Sequence, residues 1–78
     1  MTSIIPLSQA PQGARVRVLK VDAGRLLATR LYQMGLYPGS VAEVVVNRGA
    51  GPISVKVMGV TIALGRGMAD KVLVEILP

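Results

Sequence analysis

The chain has 78 residues, 51% of them hydrophobic, and it contains no Cys, His, Trp or Phe. We expect one domain spanning residues 1–78, with a core of aliphatic side chains. The missing Cys and His exclude disulfides, thiolate nucleophiles, most zinc sites and histidine bases. Nine Lys and Arg against four Asp and Glu give a net charge of +5, which suits an anionic partner or serves solubility alone.

No membrane span is expected. The longest uncharged stretch inside the chain, residues 31–42, is far shorter than the roughly 20 apolar residues of a spanning helix. The uncharged residues 1–14 lack the basic start of a secretory signal, and Pro6 follows their only apolar pair. A cytoplasmic location is therefore expected.

The amino-terminal part predicts a leader and a first strand. In residues 1–13 we expect Leu7 to dock on the core and Ser8 to cap a short turn before Pro11. Residues 14–21 alternate between apolar and basic side chains, as in a half-buried strand. The alternation changes phase at Leu19, which predicts a β-bulge.

Residues 24–34 predict the one convincing helix. Leu27, Leu31 and Met34 recur at the spacing of a single helical face. Asp22 is the expected N-cap, because its carboxylate can accept a hydrogen bond from a free backbone N–H of the first turn. A helix this short is marginal alone, so it must pack against the strands.

The end of this helix is specified by sequence. Gly35 stands where a left-handed residue ends many helices, and Leu36 can contact Leu31 as in a Schellman motif. Pro38 prevents continuation, and Pro38-Gly39 predicts a turn.

The second half of the chain predicts short strands. Val-rich alternation favours strands over residues 41–46, 53–58 and 71–77, with an apolar continuation at Ile62 and Leu64. Gly59 turns the chain, and residues 65–70 suit one helical turn. The sum is four or five strands with one helix after the first strand. A small β barrel or sandwich is favoured, and closure into a barrel would remove the sheet edges.

An enzyme is not expected, and neither is a cofactor or a dedicated metal site. Two Gly-x-Gly pairs lack the third glycine of a dinucleotide fingerprint, and no Gly-Lys-Ser/Thr occurs. The four carboxylates are scattered along the sequence, whereas hard cations need several oxygen ligands together. No His or Cys can activate a hydroxyl nucleophile.

Nucleic-acid binding is the alternative function. Arginines could follow a phosphate backbone, but only two tyrosines are available to stack on bases, and one helix cannot form a helix-turn-helix. The candidate phosphate contacts are Arg15, Arg17, Arg25, Arg30, Arg48 and Arg66.

Protein binding is the favoured function. Residues 30–39 combine an apolar helix face with two amphipathic tyrosines, and Tyr and Arg are common at interface hot spots. An outward-facing Met58 can extend an apolar patch, and strand edges also permit self-association. The partner-binding candidates are Arg30, Tyr32, Tyr37, Arg48, Met58 and Arg66.

The pattern Arg-Leu-x-x-Met-Gly-Leu-x-Pro-Gly over residues 30–39 resembles the signature of the ferrous iron transport protein A (FeoA) family. Residues 51–59, residues 62–69 and the opening Leu7…Gly13…Val18 also match, so the resemblance covers nearly the whole chain. Its structural signature residues are Leu27, Leu31, Met34, Gly35, Leu36, Pro38, Gly39 and Gly59.

The resemblance implies an SH3-like barrel of about five strands with a helix inserted after the first strand. It implies a small cytoplasmic accessory that regulates the membrane GTPase transporter FeoB by direct contact. Such a regulator can supply an arginine finger, for which Arg48 and Arg66 are the candidates. The module also follows a DNA-binding domain in iron-dependent repressors, which this sequence lacks. At the level of the family the resemblance also implies transition-metal binding, to which this chain gives little support because it has no His or Cys.

Overall fold

The polypeptide folds mainly as short antiparallel strands. The computed structural model describes residues 3–78; Met1 and Thr2, which the predicted leader and domain include, lie outside the described residues. The elements in chain order are β1 (Ile4–Pro6), a 3-10 turn (Leu7–Gln9), β2 (Arg15–Val21), α1 (Arg25–Gln33), β3 (Val41–Val46), β4 (Ile53–Val57), β5 (Val60–Leu64), α2 (Arg66–Ala69) and β6 (Val72–Ile76).

The strands form one six-stranded sheet in the order β1-β6-β2-β3-β4-β5. Every neighbouring pair is antiparallel. No ladder joins β1 to β5 within residues 3–78, so the sheet stays open where a closed barrel was expected. The predicted mostly-β class with one short principal helix is confirmed.

The additional strand, β1, lies in the segment that sequence patterning predicts as a leader. Ile4 pairs with Glu75 and Pro6 pairs with Leu73, at one edge of the sheet. Three residues that end in Pro are too few to show a period of two, so patterning misses this strand. The principal helix consequently follows the second strand. Leu7 is fully buried, as predicted.

Two predicted caps are wrong. α1 begins after Gly24 with no side-chain cap, and Asp22 lies outside the helix, with its backbone N–H donating to the Lys71 carbonyl at 2.7 Å. That bond keeps the backbone of Asp22 extended beside β6, so the helix begins only after Gly24. Ser8 does not cap the 3-10 turn, because its hydroxyl donates to the Asp70 carboxylate instead.

The predicted helix end is confirmed. Gly35 has a φ of +97°, and its N–H donates to the Tyr32 carbonyl at 3.0 Å. The Leu36 N–H donates to the Leu31 carbonyl at 2.9 Å. These two bonds define a Schellman motif, and Leu31 and Leu36 are both fully buried.

An aliphatic core fills the space between the sheet and the helices. Leu27 and Met34 of the predicted helix face are half-buried and pack against it. The predicted bulge is present, since the β2–β6 register shifts between Val18 and Lys20. The fully buried larger side chains are Leu7, Val16, Val18, Leu31, Leu36, Val44, Ile53, Val55, Leu64, Val72 and Val74.

Candidate functional site

An apolar groove lies between the end of α1 and the β4–β5 hairpin, and we call it the tyrosine groove. Its volume is about 370 Å³. Three of the predicted partner-binding residues, Tyr32, Tyr37 and Met58, line it together. The complete lining is Tyr32, Gln33, Met34, Gly35, Tyr37, Val57, Met58, Val60 and Ile62.

The floor of the tyrosine groove forms where the helix end meets the hairpin. A Cβ atom on Gly35 would lie only 3.3 Å from Cγ2 of Val57 and 3.6 Å from the sulfur of Met58. The missing side chain therefore lets the helix end approach β4 closely. The two tyrosines that flank this glycine, Tyr32 and Tyr37, are 43% and 42% exposed.

Met58 occupies an unusual backbone conformation at the rim of the groove. Met58 and Gly59 form the two-residue turn between β4 and β5, with φ values of +53° and +80°. Such turns favour Asn, Asp or Gly at the first position, because a Cβ is disfavoured at positive φ. Met58 is the only non-glycine residue at positive φ within residues 3–78, and its side chain is 77% exposed. An exposed apolar side chain is thus held in a strained conformation.

The chemistry of the tyrosine groove suits binding. No charged side chain lines it, and its polar groups are the two phenol hydroxyls and the Gln33 amide. Such a surface can take an apolar side chain from a partner and hydrogen-bond at its margin. Tyr and Met are enriched in protein interfaces.

Arg66, another predicted partner-binding residue, is engaged inside the molecule. Its Nε donates to the Gly51 carbonyl at 3.0 Å, its Nη1 to the Ser8 carbonyl at 2.9 Å, and its Nη2 to the Asn47 side-chain oxygen at 2.8 Å. The guanidinium therefore ties α2 to the β3–β4 loop and to the 3-10 turn.

Asn47 is a structural residue that patterning along the sequence does not reveal. Its side-chain Nδ2 donates to the carbonyls of Ser8 and Ala10 at 3.0 and 2.7 Å. Its side-chain oxygen accepts from the Gly49 N–H at 3.0 Å as well as from Arg66. The spacing Asn-x-Gly is a local signal for such an Asx turn, but the distant contacts carry no sequence signal.

The remaining arginines occupy different elements. Arg30 is exposed near the end of α1, and Arg48 is exposed in the β3–β4 loop; neither lines the tyrosine groove. Arg17 pairs with Glu75 at 2.9 Å across β2 and β6. Because Arg15 stands opposite Glu43 in the β2–β3 register, the arginines of β2 have acidic neighbours.

Residues 3–78 contain neither a potential metal-ion cluster nor a helix that could span a membrane. No three or more acidic, His or Cys side chains gather as a potential metal-ion cluster. No helix in this part of the chain is long and apolar enough to cross a membrane.

The fold and the groove define a class of protein: a small SH3-like β module with an apolar groove at its helix end. The sequence model of the FeoA domain matches residues 5–76. The chain therefore belongs to the FeoA domain family, and the resemblance seen in its sequence motifs is confirmed.

Relatives and solved structures agree with this assignment. A Methanocaldococcus jannaschii protein provisionally named Fe(2+) transport protein A is 43% identical over 70 residues, which cover 90% of this chain and 84% of that protein. A crystal structure of the iron uptake regulatory protein FeoA has a TM-score of 0.91 at 35% identity, covering 96% of this chain and 100% of that one.

The same fold occurs inside a larger protein. A manganese-dependent transcriptional repressor, solved in complex with manganese, has a TM-score of 0.86 at 26% identity. The similarity covers 99% of this chain but only 38% of the repressor. The match therefore concerns one part of that repressor.

Proposed function

We propose that this chain is a non-enzymatic accessory protein of ferrous iron transport. Its membership of the FeoA domain family and its 43% identity to a relative named for Fe(2+) transport support this role. More specifically, it acts in the cytoplasm by contact with the GTP-binding part of a FeoB-type membrane transporter.

The tyrosine groove is the observation that carries the proposal. It brings Tyr32 and Tyr37, at the end of α1, together with Met58 of the β4–β5 turn, which is distant in sequence. All three are exposed, so their apolar surface is available to a partner. Aromatic side chains bury large areas and are enriched among the residues that contribute most to interface energies.

The charge of the chain supports an acidic partner. The net charge is +5, and the only ion pair within residues 3–78 joins Arg17 to Glu75. Arg30 lies one helical turn before Met34, which lines the groove. A cation beside an uncharged groove favours a partner segment that offers an apolar side chain flanked by Asp or Glu.

Titration calorimetry with the purified GTP-binding part of the cognate transporter tests this proposal. Tyr32→Ala and Tyr37→Ala should each weaken binding by about tenfold or more, because truncating a hot-spot residue of an interface costs about 2 kcal/mol or more. Leu26→Ala is the matched control, since Leu26 is a large apolar residue of α1 that is 84% exposed and lies outside the groove.

The control separates this groove from general surface hydrophobicity. Binding that is unaffected by either tyrosine substitution, or weakened equally by Leu26→Ala, would contradict the assignment of the groove. A complete lack of binding by the unaltered chain would contradict the partner itself.

Arg48 is the candidate for a second contact, an arginine supplied to the bound nucleotide. Each of the three guanidinium nitrogens of Arg66 donates a hydrogen bond to an acceptor within the molecule. Arg48, by contrast, is exposed on a loop. An arginine finger raises GTP hydrolysis by about 10³–10⁵-fold. If Arg48 acts so, the unaltered chain accelerates hydrolysis and Arg48→Lys abolishes most of the effect. Equal hydrolysis with and without the chain would refute this role.

A further inference from the structure

The outer edge of β5 is an unpaired strand edge. β5 ends the sheet and pairs only with β4. Val57 and Val60 flank the two-residue turn and pair with each other, so hydrogen-bonded pairs recur at Val60, Ile62 and Leu64. The N–H and C=O groups of Thr61 and Ala63 therefore point away from β4. Within residues 3–78, no group outside β4 hydrogen-bonds to them.

This edge lacks the features that normally prevent strand addition. Val60–Leu64 contains no charged residue and no Pro, and Val60 is 59% exposed. The opposite edge, β1, is only three residues long and ends in Pro6. Natural proteins commonly block an edge by shortness, Pro or charge. β1 is blocked in two of these ways, and β5 in none.

We propose that β5 is a self-association edge, where a second copy of this chain adds its own β5 in antiparallel orientation. A twofold axis beside Ile62 places Thr61 of each copy opposite Ala63 of the other. The outward backbone groups of these residues then form four hydrogen bonds between the copies. This register also places the partly exposed Val60 and Ile62 of both copies on one face, where their apolar side chains contact.

The distribution of charge permits a second copy at this edge. Two chains of net charge +5 repel each other wherever their basic surfaces meet. Residues 57–65, which contain β5, carry no charge, and the nearest cation in the ladder is Lys56, one strand inward. The two Lys56 residues would stand about three strand spacings apart, roughly 14 Å, which exceeds the screening length of about 8 Å at physiological salt.

The dimer has a consequence for the tyrosine groove. Val60 and Ile62 line the groove and also belong to the pairing edge. A second copy therefore covers part of the surface that a transporter partner would use. This competition rests on the proposed function, whereas dimer formation does not.

Sedimentation velocity of the purified chain tests the proposal without any transporter. The contact is small, so we expect a dissociation constant of about 10–1,000 µM. Added NaCl should strengthen the dimer, because salt screens repulsion between like-charged chains. Binding to an acidic partner has the opposite salt dependence. Amide hydrogen exchange at Thr61 and Ala63 should slow as the protein concentration rises.

Thr61→Pro and Thr61→Val form the matched pair of variants. Pro removes the outward N–H without removing a bond to β4, whereas Val keeps that N–H. Pro should weaken the dimer by about tenfold or more, because two of the four bonds between the copies are lost, and Val should leave it intact.

Ala63→Lys, on an exposed position, should also give a monomer if Thr61→Pro does not fold. A chain that stays monomeric at about 1 mM overturns the proposal, because about half or more of the protomers would be dimeric at that concentration for any dissociation constant in the expected range. So does a dimer that all three variants retain.

Discussion

Replacing Gly35 with Ala tests how the helix end and the hairpin build the tyrosine groove. Gly35 has a φ of +97°, and a left-handed backbone costs a residue with a Cβ about 1–2 kcal/mol. Ala also restricts the unfolded chain, which offsets about 0.4–1 kcal/mol of that loss. The backbone term alone therefore destabilises by about 1 kcal/mol.

The added Cβ has a second effect at this position. It would lie 3.3 and 3.4 Å from the two γ-methyl groups of Val57, closer than an ordinary contact. Overpacking of this kind typically costs about 1–3 kcal/mol. We therefore expect Gly35→Ala to lower the free energy of unfolding by about 2–4 kcal/mol, out of a total near 4–12 kcal/mol for a domain of this size.

Gly39→Ala provides the matched control. Gly39 has a nearly equal φ of +95°, but its Cβ would meet nothing within 4 Å. Urea unfolding followed by circular dichroism should show Gly39→Ala losing only about 1 kcal/mol. Val57→Ala removes buried core packing by itself, but it should cost less in the Gly35→Ala background than in the unaltered chain, because it also relieves the clash. If both glycine variants lose the same stability, Val57 does not limit the approach of the helix end, and the reasoning fails.

Three further substitutions alter contacts or backbone strain seen in the structure, and urea unfolding measures the change in stability that each one causes. Asn47→Ala should destabilise by about 2–3 kcal/mol, because it removes the donors to Ser8 and Ala10 and leaves Arg66 short of an acceptor; a loss below about 0.5 kcal/mol would contradict this. Leu7→Ala should cost about 2–4 kcal/mol, because Leu7 is fully buried; a neutral result would mean that the amino-terminal segment is not part of the core. Met58→Asn should leave stability equal or higher, because Asn tolerates the φ of +53°; a clear loss would show that the Met58 side chain stabilises the fold.

The helix end shows what local sequence can determine. Gly35, Leu36 and Pro38 predict a Schellman ending followed by a turn, and the two defining hydrogen bonds are present. Every interaction involved lies within a few residues along the chain, so the sequence contains all of the relevant chemistry. The alternating strands β2, β3 and β4 are equally readable, because one face of each is buried.

The errors at Asp22 and β1 arise from contacts that are distant in sequence. Asp22 is a good cap by residue type, but the Lys71 carbonyl holds its backbone N–H in the sheet. β1 is defined by pairing with β6, about 70 residues later, and three residues have no pattern of their own. The local propensity of a segment carries no information about either distant partner, the Lys71 carbonyl or β6.

The sequence likewise identifies some residues of the candidate site correctly, whereas the surroundings of others depend on distant segments of the chain. Residue type alone marks Tyr32, Tyr37 and Met58 as interface candidates, and the structure places all three around one groove. Residue type also marks Arg66, but folding brings the carbonyls of Ser8 and Gly51 to its guanidinium. Whether an arginine faces solvent or an internal acceptor depends on loops that meet only in three dimensions.

The sequence by itself determines the aliphatic mostly-β class, the end of the helix and the family, because composition, period and motif spacing are local properties. The tertiary structure alone decides that the sheet stays open, that the helix end and the hairpin enclose a groove, and that the edge of β5 remains unpaired. Each of these features depends on which distant segments pack together, and packing follows from the shape and burial of the whole chain.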